Sequence, residues 1–359
     1  MEKDGYGIHP KKRPMIIAVA LSGGVDSASA AAILIEQGHD VRAYHMVVGS
    51  NAYPETLEHA ADIAKILQIP FRSIDLREDF EEEVLSYFLH TYQTGRTPNP
   101  CVVCNRSIKF GRLLDRAMSE GAEAFATGHY VRMGIHPRYG RLMQCANDLG
   151  KDQTYFLAQL PKRVMKVLCF PNGGFSKASI REKAAAWNLP VHDKPESQEL
   201  CFFPGDYRAF LNLRGILAQP GPIVDESGRV LGQHQGLCMY TVGQRKGLNI
   251  SSQEPLYVTE IDVADNQLIV GSFESTHSGA FWIGHLNWMI ENQQEPLDLQ
   301  CKIRSSMRPI GCRIERSQDS DRAIVTLKTP AHAVTPGQLA AFYDGTFLVG
   351  SGFILKEKK

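Results

Sequence analysis

The chain has no run approaching the ~20 apolar residues of a membrane-spanning helix, no net charge and no second Cys-x-x-Cys. With 39 Lys and Arg against 39 Asp and Glu in 359 residues, overall basicity cannot draw a nucleic acid to it. Any such surface has to come from local clustering, so neutrality does not exclude an RNA partner. Met1 to Pro14 is polar, carries Lys3, Lys11, Lys12 and Arg13, and lacks an apolar core, which argues against a secretory signal. Eight cysteines in so long a chain without an export signal argue against a disulfide scaffold. A single Cys-x-x-Cys also falls short of the four ligands a structural zinc site usually takes. Internal repeats and low-complexity tracts are missing as well. These absences leave a cytosolic chain, not a membrane protein, with room for two or three domains and some functional thiols.

From Met15 to about Pro190, short apolar runs alternate with longer amphipathic ones, the pattern of a parallel sheet with crossover helices. Strands are expected at Met15–Leu21, Val41–Val47, Phe71–Asp75 and Ala124–Thr127. Helices are expected near Ser27–Gln37, Pro54–Leu67, Asp79–Thr94, Ser107–Glu120 and Lys177–Asn188, with Gly38 and Gly121 at C-terminal caps. Beyond Pro204 long helical periodicity stops, and turn clusters such as Gln219 to Pro222 and Glu226 to Arg229 separate short runs of β-formers. Boundaries near Gly205 and near Glu274 to Gly279 predict three parts: an α/β domain over 1–205, a small central domain over 206–276 and a β-rich barrel over 277–359.

Ser22-Gly23-Gly24-Val25-Asp26-Ser27 sits between a strand-length apolar run and an alanine-rich helix. At a helix N-terminus, free backbone N–H groups and the positive dipole end attract an anion, and glycines let the backbone close on phosphate oxygens. The Gly-Lys-Ser/Thr of a Walker A loop is missing. The loop resembles the PP-loop of ATP pyrophosphatases, which split ATP into AMP and pyrophosphate. Asp26 is then suited to a Mg²⁺. Ligands in such sheets bind at the carboxyl ends of the strands, so Met46 and Gly128 are placed to converge on the same nucleotide.

A second dense block, Thr97-Pro98-Asn99-Pro100-Cys101-Val102-Val103-Cys104-Asn105-Arg106-Ser107-Ile108-Lys109-Phe110, puts two prolines just before the Cys-x-x-Cys. A cysteine near a helix N-terminus, close to Arg106 and Lys109, is expected to have a lowered pKa and to be nucleophilic. Structural zinc and an inert buried pair are the bland readings. Cys201, in Ser197 to Gly205, follows a turn-prone segment and should sit on an accessible loop. Ala126 to Tyr130, Lys151 to Leu157 and Tyr240 to Leu248 are three further polar blocks. His129 by itself is more often structural than functional. Arg96, Arg106, Lys109, Arg112 and Arg116, opposed in sequence only by Asp115, could track phosphates together with Lys151, Gln153, Arg245 and Lys246.

Taken in order, SGGVDS, TPNPCVVCNRSIKF, ATGHY, KDQTYFL, SQELCFFPG and YTVGQRKGL resemble the tRNA-specific 2-thiouridylase family over about Met15 to Phe353. The resemblance implies an adenine-nucleotide hydrolase-like (PP-loop, Rossmann-like) α/β domain, a small central domain and a C-terminal β-barrel. It implies ATP-dependent conversion of the wobble uridine of Lys, Glu and Gln tRNAs to 2-thiouridine. Ala20, Leu21, Ser22, Gly23, Gly24, Val25, Asp26, Ser27, Met46 and Gly128 would bind ATP, with Mg²⁺. Cys104 would be the nucleophile and Cys201 would carry a persulfide. Asn99, Pro100 and Cys101 would face the target base, and His129, Lys151, Asp152, Gln153, Arg304, Ser305 and Gln338 would contact tRNA. A cysteine desulfurase or relay protein would supply sulfur. Position 101 is commonly aspartate in the family, and tyrosine usually follows Arg304. With cysteine at 101, Cys101, Cys104 and Cys201 could instead ligate an iron–sulfur cluster of the 4Fe–4S type. Rival readings are another PP-loop thiolase or adenylating synthetase, and a non-catalytic RNA-binding iron–sulfur protein.

Overall fold

The computed structural model describes residues 13–49, 54–190, 201–203, 206–216, 218–291, 296–317 and 321–356. The first region contains β1 (Ile16–Ala20), β2 (Asp40–Val47), β3 (Phe71–Asp75), β4 (Ala124–Ala126), β5 (Val131–His136), β6 (Gly140–Cys145) and β7 (Leu168–Cys169). Five of them form a parallel sheet in the order β3-β2-β1-β4-β7. The sheet and its crossover helices follow the expected pattern, except that the short β7 is an addition. Helix α1 (Val25–Glu36) is buried on most sides, through Ala28, Ala30, Ala31, Ile33 and Leu34. Its alanines let it lie closely between the sheet and the helix Lys177–Ala186. Gly38 and Gly121 end their helices at φ +83° and +90°, where glycine avoids the cost of a left-handed Cβ.

Two helices differ from the sequence pattern. The stretch expected over Asp79–Thr94 begins at Arg77 and includes a π-helical turn, Glu81–Leu85. The helix expected from Ser107 begins seven residues earlier, at Pro100, because Asn99 caps it and Pro100 supplies its first residue. It then passes through a nine-residue π-helical stretch, Asn105–Leu113, before ending at Ser119.

The central sheet comprises β8 (Gly221–Asp225), β9 (Val230–His234), β10 (Tyr257–Asp262) and β11 (Gln267–Gly271), in the order β10-β11-β8-β9. Its core of Ile223, Val258, Ile261, Leu268 and Val270 is separate from the others. The last region contains β12 (His277–Trp288), β13 (Leu297–Lys302), β14 (Ile310–Arg316), β15 (Arg322–His332), β16 (Leu339–Asp344) and β17 (Phe347–Ile354). These six close into a barrel through pairing of β12 with β17.

The β5–β6 hairpin, outside the expected strands, leaves the parallel sheet and adds to the barrel at β17. One apolar cluster consequently runs from Phe88, Phe110 and Phe125 through Tyr155 and Leu157 to Val325, Phe342 and Leu348. The first and last regions share a core.

Candidate active site

β1 delivers the chain to Ser22, and α1 starts behind Gly24. The capping residue Gly24 is extended and offers no side-chain acceptor, which leaves the first amides of α1 open to an anion. Ser27 Oγ donates to Gly24 O at 3.0 Å and accepts from Ser22 N and Ser22 Oγ, both at 3.1 Å. This closes the loop on itself. A Cβ on Gly23, at φ +82°, would lie 2.9 Å from Thr56 O, and one on Gly128 would lie 2.5 Å from the carbonyl carbon of Asp26. Both glycines are therefore required by close approach.

The Asp26 carboxylate accepts from Tyr130 OH at 2.7 Å and from Lys177 Nζ at 2.7 and 2.8 Å. Asn172 Nδ2 donates to Asp26 O and Gly128 O at 2.9 and 3.0 Å, tying loop to strand end. Its buried Oδ1 has no partner among the described residues. Leu21 N bonds Tyr44 O at 2.8 Å, while Ala20 and Met46 are half-buried at the ends of β1 and β2. The cradle fits a polyphosphate and its Mg²⁺: open amides, glycines that exclude a Cβ, and a half-exposed carboxylate with an ammonium beside it.

Cys104 is buried at the end of the helix Pro100–Cys104, whereas Cys101 and Cys201 reach solvent. Phe202 anchors Cys201 by packing among Phe80, Phe88 and Phe210, with centroids 5.4–5.7 Å apart. The three thiols and Lys109 lie near enough to act on one another electrostatically. Desolvation nevertheless dominates, even for Cys101 and Cys201, which keep part of their surface in solvent while protein crowds their other sides. It pushes the Cys104 thiol up to about 12 and the Cys201 thiol up to about 11, and it raises Cys101 too, with Lys109 opposing it more weakly. The expected lowered thiol pKa is thus corrected: the helix begins at Pro100, so Cys104 sits a full turn inside it, in the core. Among the described residues, no three His, Cys, Asp or Glu gather as a metal-holding group.

Beside Cys101 opens a cleft of about 530 Å³. Asn99, Pro100 and Cys101 form one wall, and Thr241 to Gln244 of the central region, Arg304, Ser305 and Gln338 of the barrel form others. Gln338 Nε2 donates to Thr97 O and Pro98 O at 3.1 and 2.9 Å, pinning this segment to the barrel. Arg304 reaches Ala333 O and Thr335 Oγ1 at 3.3 and 3.4 Å.

Not every expected contact faces outward. Asp152 is a correction: its side chain is 3% exposed, accepts from Ala146 N and Thr154 Oγ1, and faces Lys302 Nζ at 4.0 Å. Gln153 accepts from Tyr130 N at 2.9 Å, linking it to the Asp26 network, while Lys151 is half-buried nearby. His129 Nδ1 pairs with Thr127 Oγ1 at 2.6 Å, and its ring packs near Phe110 and Phe170. Burial holds its pKa well below the ordinary value, so the ring is neutral. The expected phosphate-tracking row is also corrected: Arg112 pairs with Asp79 and Glu83, and Arg116 with Glu120. Tyr130, Asn172 and Lys177 complete the nucleotide loop, but only the ATGHY motif marked one of them in advance. Ser197 to Leu200, Pro204 and Gly205 of the Cys201 motif lie outside the described residues.

A family model described as a tRNA methyl transferase HUP domain matches residues 15–205, one described as a tRNA methyl transferase PRC-barrel domain matches 208–272, and one described as an aminomethyltransferase beta-barrel domain matches 278–354. A protein of Heliobacterium modesticaldum named tRNA-specific 2-thiouridylase is 41% identical over 355 residues, 95% of this chain and 92% of its own. Relatives of that name from Syntrophus aciditrophicus and Trichlorobacter lovleyi are 42% and 41% identical over 354 and 343 residues. They cover 96% and 94% of this chain, and 93% and 97% of their own. The chain belongs to the tRNA-specific 2-thiouridylase family. Although the models' descriptions mention methyl transfer, the 2-thiouridylase relatives are named for thiolation.

Proposed function

We propose that the chain performs ATP-dependent 2-thiolation of the wobble uridine of tRNA, with sulfur carried on Cys201. The observation that carries this reading is that Cys104 and Cys201 lie within electrostatic reach of Cys101 and Lys109, while Cys101 itself lines a cleft shared by all three regions. Ala20 to Ser27, Met46 and Gly128 bind ATP, and a Mg²⁺ at Asp26 would neutralise pyrophosphate charge. Asn99, Pro100 and Cys101 face the base, and His129, Lys151, Gln153, Arg304, Ser305 and Gln338 line the tRNA path. Asp152 supports that path from inside. The separate core of the central sheet and the closed barrel of β12–β17 support a division into 1–205, 206–276 and 277–359, with the β5–β6 hairpin of the first part joining the barrel sheet.

The chemistry starts from a poor leaving group. The uridine C2 oxygen attacks the α-phosphate, the α–β bond breaks, and pyrophosphate departs with its electron pair, leaving AMP esterified to that oxygen. The Cys104 thiolate then attacks the inner sulfur of the Cys201 persulfide. The old S–S bond breaks, hydrosulfide leaves with its electrons, and a Cys104–Cys201 disulfide forms. Hydrosulfide attacks C2, AMP leaves with the C–O electron pair, and proton loss gives the thiocarbonyl. An external dithiol reduces the disulfide before the next turnover. A desulfurase or relay protein reloads Cys201. The base must be splayed from the anticodon stack to reach the cleft.

Nucleoside mass spectrometry of tRNA incubated with ATP and persulfide-loaded protein tests this. The expected product is 2-thiouridine at the wobble position. Modification elsewhere, or none, overturns the reading. Iron and acid-labile sulfide in anaerobically purified protein, lost in Cys101→Ala, would replace the persulfide route with the cluster route.

A further inference from the structure

Cys104 immediately precedes the π-helical stretch Asn105–Leu113, and Lys109 is five residues further on. In an α-helix five residues turn a side chain about 140° away. Under i→i+5 bonding the same residues stack on one flank. The widened turn is visible at Gly111, where a Cβ would lie 3.1 Å from the carbonyl oxygen of Arg106, five residues back. Phe110 locks the register, packing with centroids 5.7–6.1 Å from the rings of His129, Phe125 and Phe170. The π-helical register therefore brings Lys109 round to the Cys104 flank, and its charge acts on Cys104, Cys101, Cys201 and His129. Arg112 and Arg116, the next basic residues along the helix, are spent on carboxylates. Half-buried Lys109 has no ion pair or hydrogen bond among the described residues.

We infer that Lys109 is the cation for sulfur transfer: it holds the Cys104 thiolate as it attacks and the hydrosulfide as it leaves the Cys201 persulfide. The inference deepens the persulfide reading and rests on it. In that step the electron pair of the persulfide S–S bond passes to the outer sulfur while the Cys104–Cys201 bond forms, so negative charge moves between two sulfurs and never disappears. An ammonium within electrostatic reach of both sulfurs stabilises both ends. The π-helical stretch has a chemical role here, since an α-helix would point the lysine elsewhere.

The test uses full-length wild type, Lys109→Gln and Lys109→Arg, each with Cys201 preloaded with persulfide, in single turnover with ATP and tRNA. Lys109→Gln should form 2-thiouridine about 100-fold more slowly, while tRNA-dependent pyrophosphate release and tRNA affinity change less than about 3-fold. Lys109→Arg, which keeps the charge, should recover to within about 10-fold of wild type. A Gln variant that thiolates at near wild-type rate overturns the inference. So does one in which pyrophosphate release falls as far as thiolation, since the lysine would then serve the nucleotide. Failure of the loaded wild type to thiolate would instead overturn the persulfide reading beneath it.

Discussion

At the scale of single residues, burial and charge decide which groups can react. Cys104→Ser and Cys201→Ser should each abolish 2-thiouridine formation in single turnover, with tRNA affinity and pyrophosphate release retained. Near wild-type thiolation in either would remove that cysteine from the mechanism. With its thiol pushed up to about 11, Cys201 should react with iodoacetamide at pH 8 about 100-fold more slowly than an unperturbed thiol, and the rate should climb until pH 11. Because the folded thiols hold their protons above the unfolded pKa, their contribution to stability is full below pH 9 and is lost as pH rises through the folded values. His129 runs the other way. Its folded pKa lies below the unfolded value of 6.5, so its contribution is full above that pH and is lost as pH falls toward the folded pKa. Proton NMR should show its ring still neutral at pH 6, and a His129 signal titrating near 6.5 would contradict the packing described here.

At the scale of elements, the nucleotide loop depends on residues far along the chain. Asp26→Ala removes one partner of Lys177, whose side chain is 11% exposed, and should cost about 1–3 kcal/mol of stability in addition to its effect on turnover. Pyrophosphate release should fall far more than tRNA affinity, and the opposite pattern would mean the loop binds RNA. The segment before Cys101 is held from outside its own helix by Gln338. Gln338→Ala deletes two hydrogen bonds to Thr97 O and Pro98 O, costing about 1–2 kcal/mol. A freed segment should lower kcat more than it raises KM for tRNA, whereas a pure KM effect would make Gln338 a direct RNA contact.

At the scale of the whole molecule, the barrel is part of the fold of the first region rather than an appended module. Tyr155 OH donates toward Ile303 O and Leu339 O at 3.3 and 2.9 Å, Asn287 Nδ2 donates to Ala158 O and Leu160 O, and β6 pairs with β17. Deleting residues 278–354 should therefore give insoluble protein, and the two regions should melt in a single transition by calorimetry. A soluble, cooperatively folded truncation would refute the shared core. Several barrel cations are also committed internally: Lys302 is buried beside Asp152, and Arg313 pairs with Asp298 and Glu315. A salt titration of tRNA binding should accordingly give a slope reporting fewer phosphate contacts than the count of basic residues suggests.

Local chemistry was readable from the chain itself. The glycines of the PP-loop, the caps at Gly38 and Gly121, the alternation of the parallel sheet and the spacing of the cysteines are each set by neighbours within a few residues, so order along the chain carries them. The thiol pKa values, the β5–β6 hairpin that joins the barrel, and the service of Asp152 and Gln338 as internal ties were not readable. Each depends on which distant atoms surround a group. A thiol's pKa is governed by desolvation, and desolvation is a property of three-dimensional packing. The tertiary structure alone decided that Cys104 lies in the core, that Phe202 anchors Cys201 in an aromatic cluster, and that Lys109 on a π-helical turn comes within electrostatic reach of both.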